Sequence, residues 1–124
     1  MPTSGLENTS GYKSFIATGT AIPAYTRVTV NASGQITAAA ATDITIGVTM
    51  EYIASNGIGN VKLFSAPGSF MMTASAAITA GTQLYPTASG RVAGTGTTAL
   101  NLVALDAATA AGDVIEALPM NKGA

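Results

Sequence analysis

A fourteen-residue stretch of this chain returns, half identical, 56 positions later. AIPAYTRVTVNASG, residues 21–34, comes back as AITAGTQLYPTASG, residues 77–90: Ala21/Ala77, Ile22/Ile78, Ala24/Ala80, Thr26/Thr82, Ala32/Ala88, Ser33/Ser89 and Gly34/Gly90 are identical, and Val28/Leu84 stays apolar. Chance supplies about one or two such matches in a chain rich in Ala and Thr, so the pattern marks an internal duplication. The same offset pairs Ile36 with Val92, Ile44 with Leu100, Ile46 with Leu102 and Val48 with Ala104. Whatever the first repeat (about residues 21–64) folds into, the second (about 77–118) should fold into as well. Near the end the offset falls to about 53, where Gly59-Asn60-Val61 matches Gly112-Asp113-Val114, and this predicts a second loop some three residues shorter.

Each repeat is patterned for strands. Arg27-Val28-Thr29-Val30 alternates polar and apolar, Asn31-Ala32-Ser33-Gly34 supplies a turn whose Gly tolerates positive φ, and Gln35-Ile36-Thr37 pairs back as a hairpin. In residues 44–51, Ile44, Ile46, Val48 and Met50 alternate with Thr45, Gly47, Thr49 and Glu51, the period of a half-buried strand. Further strands are expected at residues 12–16, 60–64, 69–73 and 113–118. In residues 99–105 the alternation is lost, since Leu100 and Leu102 lie on one face and Val103 and Leu105 on the other. A strand apolar on both faces is buried on both, either at the centre of a closed barrel or at a subunit contact. Val103 and Leu105 are therefore the candidate oligomer-contact residues, and Val103→Asp or Leu105→Asp should dissociate or unfold the protein.

Residues 1–11, MPTSGLENTSG, carry one large apolar side chain, Leu6, among small and polar residues. Such a segment cannot build a core and is expected to be an extended arm, disordered until something binds it. Leu6, Tyr12 and Phe15 are spaced to enter separate pockets of a partner, which makes them the candidate anchor residues. The expected organisation is an arm at residues 1–15, one all-β domain at 16–118 and a short tail at 119–124.

Composition removes several function classes. The chain has no Cys, His or Trp, which excludes most zinc sites and every His-based acid/base mechanism. Its basic residues, Lys13, Arg27, Lys62, Arg91 and Lys122, are scattered, which argues against nucleic-acid binding. No apolar run approaches the length of a membrane helix, and Met1-Pro2-Thr3-Ser4 lacks the features of a signal peptide. Gly5 to Ser14 misses the phosphate-loop spacing, because five residues separate Gly5 from Gly11 and Tyr12 precedes Lys13. Gly94-Thr95-Gly96-Thr97-Thr98-Ala99 has dinucleotide-fingerprint spacing but leads into a strand. Asp106, Asp113 and Glu116 miss calcium-loop spacing. No enzyme, cofactor or metal site is expected. Only 9% of residues are charged, far below the usual quarter, as expected of a surface covered by other subunits or another protein.

The twice-used Ile-x-Ala-x-Thr turn, apolar strand and Ser-Gly turn, with Ile46-Gly47-Val48 after the first, resemble the small head-decoration, or capsid cement, proteins of tailed bacteriophages across residues 16–118. Ala80-Gly81-Thr82 keeps that family's Ala-Gly-Thr turn, whereas Ala24-Tyr25-Thr26 puts Tyr at the Gly position and Leu102-Val103-Ala104 replaces the Ile-Gly-Val element. The resemblance implies an all-β body of barrel or β-clip type. It also implies a symmetric homo-oligomer, a trimer being the form expected, that is made in the host cytoplasm, binds the major capsid protein on the outer capsid surface of the virion, and reinforces the shell. Two other readings stay open: a carbohydrate-binding or host-adhesion β-domain, although the chain offers only four Tyr as platforms, and a structural β-domain of a tail or fibre.

Overall fold

The structure, a computed structural model, describes residues 10–120. These residues form ten strands, β1 Tyr12–Ile16, β2 Arg27–Val30, β3 Ile36–Ala38, β4 Gly47–Thr49, β5 Ile58–Leu63, β6 Phe70–Thr73, β7 Tyr85–Pro86, β8 Val92–Ala93, β9 Leu102–Ala104 and β10 Val114–Pro119, with a 3-10 turn at Ala88–Gly90. The first five make one antiparallel sheet in the order β1-β5-β4-β2-β3; β6-β10-β9 make a second, and β7-β8 a short hairpin. The body is all-β, but its sheets are not closed into a barrel. A single bridge between Ala17 and Ile36 brings the chain after β1 towards β3 without a ladder forming there. Residues 12–15, assigned above to the arm, belong to β1, which pairs along its whole length with β5. Leu6 lies outside the described residues.

The repeat is visible bond by bond. Ile22 and Ile53 exchange two backbone hydrogen bonds of 2.8 Å, and Ile78 and Ala108 exchange two of 2.9 Å. Thr49 N–H donates to the Thr26 carbonyl as Ala104 N–H does to that of Thr82, and Tyr25 N–H donates to Thr49 as Gly81 N–H does to Ala104. A side-chain contact recurs too: the Asn60 N–H donates to the Glu51 carboxylate and the Glu116 N–H to that of Asp106. Positive φ falls on matching positions, Tyr25 (59°) with Gly81 (86°), Gly34 (78°) with Gly90 (70°), and Asn56 (61°) with Gly112 (92°). The offset does not fall to 53. Val61 pairs with Thr49 and Ala117 with Ala104, so the last strands keep 56; one residue is lost before β9 and regained before Gly112. The Gly-Asn-Val and Gly-Asp-Val match is a coincidence of common turn residues.

Each half has its own core. Ala17, Ile22, Val28, Ile36, Ile53 and Val61 pack together in the first; a larger cluster around Phe70, Met72, Leu84, Leu102 and Ile115 fills the second. The period-two segment 44–51 lies the other way round from expectation. Gly47 and Thr49 face the first core, while Val48 points out of it and is buried in the second cluster. Gly47 is required there, since a Cβ would sit 2.4 Å from the Lys62 carbonyl oxygen. The Thr49 hydroxyl is held by donating to the Pro23 carbonyl (2.7 Å) and accepting from the Thr26 N–H (3.0 Å). Ile44, expected to be buried, is 82% exposed, because the strand begins only at Gly47.

Candidate interaction surfaces

The halves meet over the outer face of the first sheet. Arg27, Val48 and Lys62 share that face by register. Arg27 is fully buried there, donating from Nε to the Arg91 carbonyl (3.0 Å) and from its terminal nitrogens to the Thr87 carbonyl (2.6 Å) and the Thr45 hydroxyl (2.6 Å). Burial lowers its pKa to about 10 against the partial offset of nearby Asp43, so it remains a cation at neutral pH. Lys62 lies with Nζ 4.7 Å from the Phe70 ring centroid, and Phe70 meets Phe64 edge to face at 5.2 Å. The inter-half contact thus combines cation–π attraction, aromatic packing and a guanidinium whose acceptors come from both halves.

Beside it opens a cleft of about 850 Å³, lined by Asp43, Thr45, Phe64, Thr87, Thr97 and Leu100 among others, with none of the four tyrosines on its wall. Among the described residues no group of three or more His, Cys, Asp or Glu could hold a metal ion, and no helix is long and apolar enough to cross a membrane. The three neighbouring acids are spent locally. Asp106 accepts the Glu116 N–H and Glu116 accepts the Ser69 hydroxyl. Asp113 accepts from the Thr109 N–H (2.8 Å), the Thr109 hydroxyl (2.9 Å) and the Ala110 N–H (3.2 Å), bonds that hold its carboxyl below the usual range.

Several large apolar side chains remain on the surface. On the first half, register places Tyr12, Ser14 and Ile16 of β1 beside Lys62, Asn60 and Ile58 of β5; Ile16 is exposed and Ile58 is 70% exposed. On the second half, Val103 lies opposite Leu118, and Met71 opposite Glu116. Leu102 and Ala104 enter the core, Val103 is half-buried, and Leu105 and Leu118 are 43% and 39% exposed. The two-faced segment 99–105 is therefore covered on one side only, and its other side is open.

This architecture is similar to a known one. The chain superposes on the N base of the head fiber protein gp8.5 of bacteriophage phi29 with a TM-score of 0.71 at 18% identity, covering 88% of this chain and 94% of that one. The two share a fold. No protein-family model matches the chain, and no curated protein matches it significantly.

Of the anchor residues expected from sequence, Tyr12 lies on the outer face of β1, 41% exposed, with the Lys62 Nζ 5.9 Å from its ring. Phe15 points the other way and packs against the first core. Val103 and Leu105 do share a face, joined by Leu118 and Met71, which sequence reasoning missed. Their strands had been recognised, but only the register across β10 shows that they meet.

Proposed function

We propose that the protein is a structural component of a bacteriophage virion, seated on the outer surface of the capsid, where it reinforces the shell. The observation carrying this reading is the fold, similar over nearly its whole length to a phage head-fiber base. The surface supports it. A chain with few charges and exposed Ile16, Ile58, Val114 and Leu118 is suited to contacts made by apolar burial and strand edges rather than by a reactive centre. In this reading the Ile16 and Ile58 end of the outer face of β1 and β5, with the segment that precedes Tyr12 and carries Leu6, lies against the major capsid protein.

The test is attachment of the purified protein to purified capsids, followed by cryo-electron microscopy of the decorated shells. Density for the β-body on the shell surface is the expected result. Deleting residues 2–11 should leave the body folded and reduce capsid occupancy about tenfold, the equivalent of roughly 1.4 kcal/mol. Occurrence only in tail fractions of disrupted virions would overturn the capsid reading. A second reading, that the body is the base from which a fibre projects, is favoured by the similarity to the phi29 head-fiber base, and the same density would show a projection above the base.

A further inference from the structure

The contact between the halves is built from elements that the chain possesses twice and uses once. The docking elements come from the second half. Ser69 and Phe70 lie over Lys62 and Val48, Thr73 N–H donates to the Tyr25 carbonyl (3.1 Å), and the turn Ala88-Ser89-Gly90 rests on Thr26-Arg27. That last fit is tight: a Cβ on Gly90 would lie 2.3 Å from the Thr26 methyl and 2.6 Å from the Arg27 carbonyl oxygen. The receiving elements, Thr26, Arg27 and Val48, are all buried by it.

The turn and the receiving face each have a counterpart that lies at the surface. The docking turn recurs as Ala32-Ser33-Gly34, identical in sequence and exposed, and a Cβ on Gly34 would meet nothing within 4 Å. Ser69 and Phe70 correspond by register to Tyr12 and Lys13 at the start of β1, where Lys13 is exposed and Tyr12 lies beside the Lys62 ammonium. On the receiving side, Thr82 is identical to Thr26, Gln83 replaces Arg27, and Val103 replaces Val48, all three only half-buried. Leu118 replaces Lys62, which makes the open surface more apolar than the filled one. Gln83 keeps a side-chain N–H donor where the Arg27 guanidinium reaches the Arg91 carbonyl. One chain therefore exposes a second docking surface on its first half and a second receiving surface on its second half.

We propose that the first half of one copy docks on the second half of the next, head to tail, repeating between molecules the contact that joins the halves within one. Such a contact is heterologous: it closes into a ring if the rotation between halves divides a full turn, and otherwise runs on as an open chain. The proposal goes beyond the virion reading and is independent of where the protein sits, so its test uses the isolated protein without capsids.

The chain has no cysteine, so Gln35→Cys and Gln83→Cys introduce single thiols at the counterparts of Arg91 and Arg27. A short bismaleimide is expected to cross-link a mixture of the two variants into covalent dimers, and to leave each variant alone uncrosslinked. Cross-linking of Gln83→Cys with itself would overturn the proposal in favour of a two-fold pairing of that face. A wild-type protein of single-chain mass throughout the micromolar range, by light scattering, would overturn it as well. Assembly should also be lost in Val103→Asp, which spoils the receiving surface, and in Gly34→Asn, which keeps the left-handed turn but fills the space the contact needs. Mixing those two should restore dimers and nothing larger, since one intact contact remains. Gly34→Asn melting as wild type yet keeping its full assembled mass would equally contradict the head-to-tail arrangement.

Discussion

Arg27 shows how a single residue is made necessary by its surroundings. Its guanidinium is buried at the junction and donates to the Arg91 and Thr87 carbonyls and the Thr45 hydroxyl, and removing it takes a charged donor from all three. Arg27→Ala should lower stability by about 1–3 kcal/mol in chemical denaturation, through the loss of hydrogen bonds to a charged donor. The sign of its pH dependence follows from the lowered pKa. Below about 10 both folded and unfolded chains hold the proton, so burial costs the same throughout the neutral range. Stability rises with pH only above about 10, where the unfolded chain alone stays protonated. Gly90 and Gly34 make a matched pair at the same scale. Both need positive φ, but only Gly90 is also pressed against backbone. Gly34→Ala should cost about 1 kcal/mol for the left-handed turn, and Gly90→Ala roughly 1–3 kcal/mol more for the overlap. Equal denaturation midpoints would contradict this packing.

At the scale of the element, the turn before β10 depends on one carboxylate. Asp113 accepts three hydrogen bonds that lower its pKa below 3.8, so their contribution is complete above that value and is lost as pH falls through the lower folded one. Amide resonances of Thr109 and Ala110 should shift only in that acid range, and Asp113→Asn should remove the transition. The hairpins were legible in the sequence because their cause is local: Asn31 and Gly34 enforce a turn whatever surrounds it. The orientation of segment 44–51 was not, because periodicity says which residues share a face but not which face a neighbouring half will cover. Val48 is apolar for the second core, and Gly47 is small for the first. Closure into a barrel was misjudged for the same reason, since the outer cover of the first sheet comes from the other repeat. The partnership of Val103 with Leu118 and Met71 needed strand order, which no local pattern encodes.

For the whole molecule, two cores joined by Val48 and Arg27 should behave as one. Calorimetry is expected to show a single transition; two separable transitions would mean that the junction contributes little. Attachment to capsids should change little between about 0.05 and 0.5 M salt, because five basic and six acidic residues are spread over the chain and exposed pairs are each worth about 0–1 kcal/mol. A steep loss of binding over that range would identify a charged contact in place of an apolar one.

Strand order also sets a schedule for synthesis on the ribosome. In each half the last strand to be made is paired on both sides: β5 sits between β1 and β4, and β10 between β6 and β9. Neither half has a complete sheet until its final strand emerges, so Phe70, Met72 and Leu102 stay without their central partner until residues 114–119 have been translated. The nascent chain must carry its two nearly interchangeable sets of strands through that interval, with β5 free to meet β6 as well as β1. Pairing across the repeat is therefore the misfolding route that this strand order opens.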